Sequence, residues 1–282
     1  MSWRVIADPS ALAGGVRALL LQIAHPLAMA GVHDHSSFRT DPLGRLHRTA
    51  GYVTASTFGS TQEALAIAQR VKDVHPYVAG TAPDGREYAA DDPDLLAWVG
   101  IALTSSFLAA YQRWAPAPLT PAEADQFVLE QSRIAALLDQ RLDLQTLDAG
   151  AATGTAIRAG TMDLALISEG VLPATVAQMD ARLADFSAAL GVNDQGRDAI
   201  RFLRWPSALA PPVKGFYLGL FAGAAASLTP EHRSALEIRM GKPTVRLASG
   251  LARVLLGAMR AGIGPSPTVA AATARVTGAR QG

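Results

Sequence analysis

Residues Asp92–Trp114 read DPDLLAWVGIALTSSFLAAYQRW. Asp92 ahead of Pro93 marks a helix start. An aspartate side chain accepts from the first free N–H groups, and proline suits the first turn because it lacks a donor. Beyond it, Leu95, Leu96, Trp98, Val99, Ala102, Leu103, Phe107, Ala110 and Tyr111 occupy nearly the whole circumference of a helix. A helix apolar on every side belongs in the middle of a domain, walled by other helices. This stretch therefore predicts an all-α fold. Its apolar run, 95–111, is shorter than the ~20 residues of a membrane span and contains Thr104, Ser105 and Ser106. It reads as a buried helix.

The flanking sequence carries the same kind of punctuation. Asp8-Pro9-Ser10 opens an apolar helix that is interrupted at His25-Pro26. A loop is expected from His33 to Asp41, and Pro42 starts the next helix. Ser60-Thr61-Gln62-Glu63 and Thr120-Pro121-Ala122-Glu123 are capping boxes, in which the hydroxyl and the carboxylate each satisfy a backbone N–H of the first turn. The helix after Ser60 is expected to reach about Val78, and Thr81–Arg86 is turn chemistry. Further helices are expected at about 143–168, 173–189, 195–204, 211–226, 229–240 and 243–261. Strand alternation is weak throughout and no linker stands out. The expected organisation is one globular helical domain over 1–262 and a loose tail over 263–282.

Composition narrows the function. The chain has 282 residues, of which 49% are hydrophobic and only 17% charged, below the usual quarter. Much surface must be buried, in a large core or around an apolar cofactor or substrate. Basic and acidic residues nearly balance, 25 against 24, with no block of like charge, so nucleic-acid binding has no electrostatic footprint. Cysteine is absent; disulfides, iron–sulfur clusters and cysteine-ligated haem are excluded. The N-terminus has no charged-then-apolar leader, and 11–32 carries Arg17, Gln22, His25 and Pro26. A soluble, cytoplasmic protein without an integral membrane segment is expected, with peripheral membrane contact left open.

Five of the six histidines, His25, His33, His35, His47 and His75, fall in the first 75 residues. Imidazole is the commonest neutral metal ligand, yet no His-Glu-x-x-His or Glu-x-x-His motif is present. A mononuclear zinc or non-haem iron site from His25, His33 and His35 is one reading. His75 stands on the stripe Ile67, Val71, Val74, Val78, so its imidazole is expected to face the core. There it is either a core histidine bonded to a carbonyl or the axial ligand of a haem, which needs one strong nitrogen in an apolar slot. Arg45, Arg48 and Thr49 share a helix face. They suit carboxylates such as propionates, or else form a solvated basic face paired with Asp41.

Several stretches together resemble one family. They are Gly14-Gly15-x-Arg17-Ala18-Leu19-Leu20-Leu21-Gln22-x-x-His25-Pro26, then His35-Ser36, then Phe38-x-x-Asp41-Pro42-x-Gly44-Arg45-Leu46-x-Arg48-Thr49, then Arg70-Val71-x-x-x-His75, then Pro83-Asp84-Gly85-Arg86-x-Tyr88 and Asp92-Pro93-x-Leu95-Leu96-x-Trp98-Val99. This pattern, over roughly 9–140, is similar to a domain of unknown function shared by latex-clearing rubber oxygenases and the fungal MpaB oxygenase. The resemblance implies a globin-like helical core enclosing haem b, with iron bound by His75 and the other side of the haem lined by Arg45, Arg48 and Thr49. Gln22 and His25 are implied as pocket-wall residues. Arg48 replaces a lysine that ligates the distal iron site in relatives, so an open distal site is expected. Gly100 stands where many relatives carry histidine, which implies a wider or less polar pocket. The implied function is a haem-dependent oxygenase or oxidoreductase that uses dioxygen or peroxide on an apolar small molecule. A non-catalytic haem or apolar-ligand carrier or sensor is the alternative. The second nitrogen of His75 is expected to bond a carbonyl or carboxylate.

Overall fold

Gly14 and Phe107 touch where two helices cross at the centre of the molecule. A Cβ on Gly14 would lie 2.8 Å from Phe107 Cδ1 and 3.2 Å from the Ser106 carbonyl oxygen, so only glycine permits this approach. The structure is a computed structural model that describes residues 1–36, 41–147, 150–206, 209–262, 264 and 266–278. The side chains of Pro42, Leu43, Arg45, Leu46, Ala151 and Pro212 lie outside that description.

The described residues form fifteen α-helices and one small hairpin. The first half contains α1 (Ser2–Ile6), α2 (Ser10–Ala24), α3 (Pro26–His35), α4 (Pro42–Phe58), α5 (Thr61–Val74), β1 (Ala79–Thr81), β2 (Glu87–Ala89), α6 (Pro93–Trp114) and α7 (Pro121–Ala136). The second half contains α8 (Ala151–Ala159), α9 (Ala165–Ser168), α10 (Val176–Phe186), α11 (Asp194–Arg204), α12 (Pro211–Ser227), α13 (Pro230–Ala235), α14 (Lys242–Gly262) and α15 (Pro267–Gly278). The architecture is all-α, as expected. α2 and α6 form the central pair; α7 packs beside α6, and α12 with α14 covers the other side of α2.

α6 is enclosed as its composition requires. Trp98, Ala97, Ala102 and Ala110 are fully buried, and Ile101 nearly so. It is also the one described single helix long and apolar enough to cross a membrane, but 72% of that stretch is buried inside the protein. Buried beside it, Arg17 of α2 donates to Ser106 Oγ at 2.9 Å, and burial lowers its pKa to about 10.

Both capping boxes are present, with Glu63 Oε2 accepting from Ser60 N at 2.6 Å and Glu123 Oε2 from Thr120 N at 2.8 Å. Several boundaries differ from expectation. α3 runs to His35, so the loop expected from His33 begins later. α5 stops at Val74 rather than near Val78. Pro76 has no N–H to give the Lys72 carbonyl, which accepts instead from Gln140 Nε2 at 3.1 Å. A 3-10 turn, His75–Tyr77, follows. The expected 143–168 helix is two short ones, because Gly160 takes a left-handed conformation (φ 74°) that ends α8.

The turn Thr81–Arg86 joins two short antiparallel strands in the register Gly80↔Tyr88, with Gly85 left-handed at φ 86°. The described part of 263–282 contains α15. Its alanine-rich sequence favours helix, it packs on α4, and Ala272 is buried.

Candidate functional site

A cavity of about 420 Å³ opens among α3, α4, α5, the hairpin, α6 and α7. Most of its wall is aliphatic, including Leu27, Val32, Val71, Val78, Leu96 and Leu103. That volume lies within the usual range for small-molecule and cofactor sites, as does the sparse set of polar groups on its wall.

His75 is on that wall, at the junction of α5 and the 3-10 turn, between Val71 and Val78. The expected stripe holds at these two residues but not at Val74, which is 55% exposed. Burial lowers the His75 pKa and outweighs the opposing pull of Asp91, so the imidazole is neutral at pH 7. Its Nδ1 is buried and, among the described residues, has no hydrogen-bond partner. The expected bond from this nitrogen to a carbonyl or carboxylate is therefore not found among the described residues. His75 is an imidazole kept neutral on the wall of an apolar cavity.

One turn earlier, Lys72 is 4% exposed. Its ammonium donates to the Asp139 carbonyl at 2.7 Å and to the Leu142 carbonyl. This ties the C-terminal end of α5 to the 139–142 segment behind His75. Burial lowers the Lys72 pKa, and the charges of Asp139, Asp143 and Asp73 oppose that. Sequence reasoning missed Lys72, although its spacing from Leu65 and Ala68 places it on the same buried face.

Gln22, Arg48 and Thr49 also line the cavity, together with Tyr52, Gln131 and Thr104. Arg48 is only a partial wall residue. Its side chain is 62% exposed and its Nη1 donates to Asp41 Oδ2 at 3.4 Å. The Arg45 side chain lies outside the described residues. Tyr52, which sequence reasoning also passed over, is half-buried, donates to the Ile134 carbonyl at 3.4 Å, and has its pKa pushed up by desolvation.

His25 is not on the cavity wall. It caps α3, with Nδ1 accepting from Ala28 N at 3.4 Å, and its ring packs against Trp98 and Phe186 at 5.5 and 6.2 Å. Pro26 forces the preceding residue out of helical geometry, which turns the side chain into this capping role. Burial, and secondarily the charge of Arg86, lowers its pKa to about 4. The three histidines proposed for a non-haem metal do not converge. His33 Nδ1 faces Asp34 at 2.9 Å and Gln195 at 3.1 Å, and His35 Nε2 faces Ala79 O and Tyr88 Oη, each at 3.2 Å. Among the described residues no group of three or more His, Asp or Glu side chains is placed to hold a metal ion.

Tyr88 completes the hairpin side of the site. Its hydroxyl donates to Asp34 Oδ2 at 2.7 Å, and its pKa is pushed up to about 12, first by burial and then by that carboxylate. Gly80 makes room, since a Cβ there would fall 2.7 Å from Tyr88 Oη. Gly100 also lines the cavity, but the space of its missing side chain is not simply added to the pocket. A Cβ there would lie 3.1 Å from Ala135 Cβ, so glycine brings α6 and α7 together.

The family model described as ER-bound oxygenase mpaB/B'/Rubber oxygenase, catalytic domain, matches residues 3–261. The chain belongs to this family. As a rubber oxygenase/MpaB-type catalytic domain, it is an oxygenase-family protein over nearly its whole length, with α15 beyond the match. No curated protein and no solved structure matches it.

Proposed function

We propose that the cavity holds one haem b, ligated through His75, and that the protein is a haem-dependent oxygenase acting on an apolar small molecule. The observation that carries this reading is the His75 imidazole: half-buried, neutral, and on the wall of an otherwise aliphatic cavity. The donor set suits the group. Haem asks for one neutral nitrogen, apolar walls for its ring and cations for its propionates. Arg48, with Arg45 one turn before it, is the cation source on α4. When bound, haem supplies the iron at which dioxygen or peroxide is activated.

The residues of the chain do the rest. His75 offers a lone pair that needs no deprotonation. Lys72 holds the end of α5 so that this imidazole keeps its place. Thr49 and Gln22 offer hydrogen-bond donors to a polar ligand inside the cavity. Leu27, Leu96 and Leu103 exclude water and favour a hydrocarbon-like substrate. Arg48 presents a guanidinium, which has no lone pair to offer at neutral pH, so it would not itself compete with an exogenous ligand for a bound haem. The test is dioxygen or peroxide consumption by the haem-loaded protein with a panel of apolar olefins. Substrate-dependent consumption with an oxygenated product is expected. Stable haem with no consumption across the panel would contradict the oxygenase reading and leave the carrier or sensor one.

A further inference from the structure

Every one of the 24 acidic residues lies at or before Glu237, whereas Arg239, Lys242, Arg246, Arg253, Arg260, Arg275 and Arg280 follow it. The overall charge of +1 hides this asymmetry. The basic segment contains α14, whose inner stripe, Ala248, Ala252 and Leu256, is buried against α12. Its outer face should be polar in a helix that meets only water. Instead Leu247, Leu251 and Val254, at helical spacing, are 75%, 45% and 68% exposed. Lys242, Arg246, Arg253 and Arg260, spaced by four, seven and seven, run along one flank of that apolar face. Arg260 is paired with Asp8 at 2.7 Å. Among the described residues no carboxylate pairs with the other three. Arg253 donates to the Arg113 carbonyl at 3.1 Å, and the Arg113 pKa is lowered by burial and by the charges of Arg253 and Arg233.

We propose that the outer face of α14 docks on an anionic phospholipid surface, with Leu247, Leu251 and Val254 entering the acyl boundary and Lys242, Arg246 and Arg253 meeting the phosphates. Exposed aliphatic side chains beside a row of cations are what an interfacial helix needs. Charge selects this occupant over a second copy of the chain. Joining two copies through a segment with seven positive charges and no negative ones sets like charge against like. The claim stands apart from the haem reading, because its readout involves neither colour nor turnover.

The test is co-sedimentation of the full chain with vesicles of phosphatidylcholine alone and with one third phosphatidylglycerol. Partition onto the anionic vesicles, weakened by salt, is expected. The double variant Lys242→Gln, Arg246→Gln should bind about thirtyfold more weakly. The triple variant Leu247→Ser, Leu251→Ser, Val254→Ser should lose binding while keeping the wild-type melting temperature, since all three side chains are exposed. Absence of binding, or equal binding to neutral and anionic vesicles, would overturn the proposal. So would a triple variant that lowers the sedimenting mass of the protein without lipid, since that identifies a second copy as the occupant.

Discussion

Tyr88 Oη donates to Asp34 Oδ2 at 2.7 Å and so joins the hairpin to the end of α3 at the cavity wall. Asp34 also meets His33, and these two hydrogen bonds hold its carboxyl below the usual range. The hairpin has only three residues per strand, too few to hold its place alone. Tyr88→Phe is therefore expected to destabilise the protein by about 1.5–3 kcal/mol, the cost of one bond to a charged group. Denaturant unfolding checks this; an unchanged midpoint would show that the bond contributes nothing to stability.

Burial keeps His25, His75 and His232 neutral in the folded chain, lowering each below the usual imidazole value and His25 to about 4. An unfolded imidazole takes up its proton near pH 6.5. The unfolded chain thus binds more protons as the pH falls below about 6.5, so this stability is fully present above that value and declines toward pH 4. Each group contributes at most about 1.4 kcal/mol per pH unit. Unfolding measured between pH 7 and 4 should show this slope, and His25→Gln should flatten it by one group's share. A variant as steep as the wild type would show that His25 is already protonated in the folded protein.

Gly100 and Ala135 make a second close contact, and it bears on the substrate space. Gly100→His should cost about 1–3 kcal/mol, because the new side chain must push α7 away or fill the cavity. Combined with Ala135→Gly it should cost less than the sum of the two single changes, a coupling that a double-mutant cycle reads directly. Additive costs would show that the histidine enters the cavity without touching α7.

The helices were legible where their ends carry side-chain caps. Asp92, Ser60 and Thr120 announce their helices, and the circumference of Leu95–Tyr111 shows that α6 is central. The family signature was legible from the spacing of residues in the first 140 positions. The hairpin was not, since Ala79–Thr81 has no inner face and its strands persist through Tyr88 and Gly80 rather than through alternation. His25 looked like a pocket residue because the sequence shows its type but not the direction that Pro26 gives it. The exposure of Arg48 was hidden for the same reason: a helix face can be read from spacing, but how far it is covered depends on segments distant in the chain. Lys72 looks like a surface charge until the 139–142 carbonyls arrive.

Arg48 tests the distal side. The ferric protein is expected to bind azide or imidazole without first displacing an internal ligand. Arg48→Lys puts an amine with a usable lone pair at the cavity wall, and should shift the spectrum toward a six-coordinate low-spin form and weaken azide binding. An Arg48→Lys spectrum identical to that of the wild type would mean that this side chain stays with Asp41 in solvent and does not face the iron.

The absorption spectrum of the purified protein, wild type beside His75→Ala and His25→Ala, tests the central claim most directly. The account predicts a Soret band corresponding to about one b-type haem per chain, retained in His25→Ala and lost or strongly altered in His75→Ala. A wild-type protein that stays colourless after haem is added, or a His75→Ala variant with an unchanged band, would contradict it.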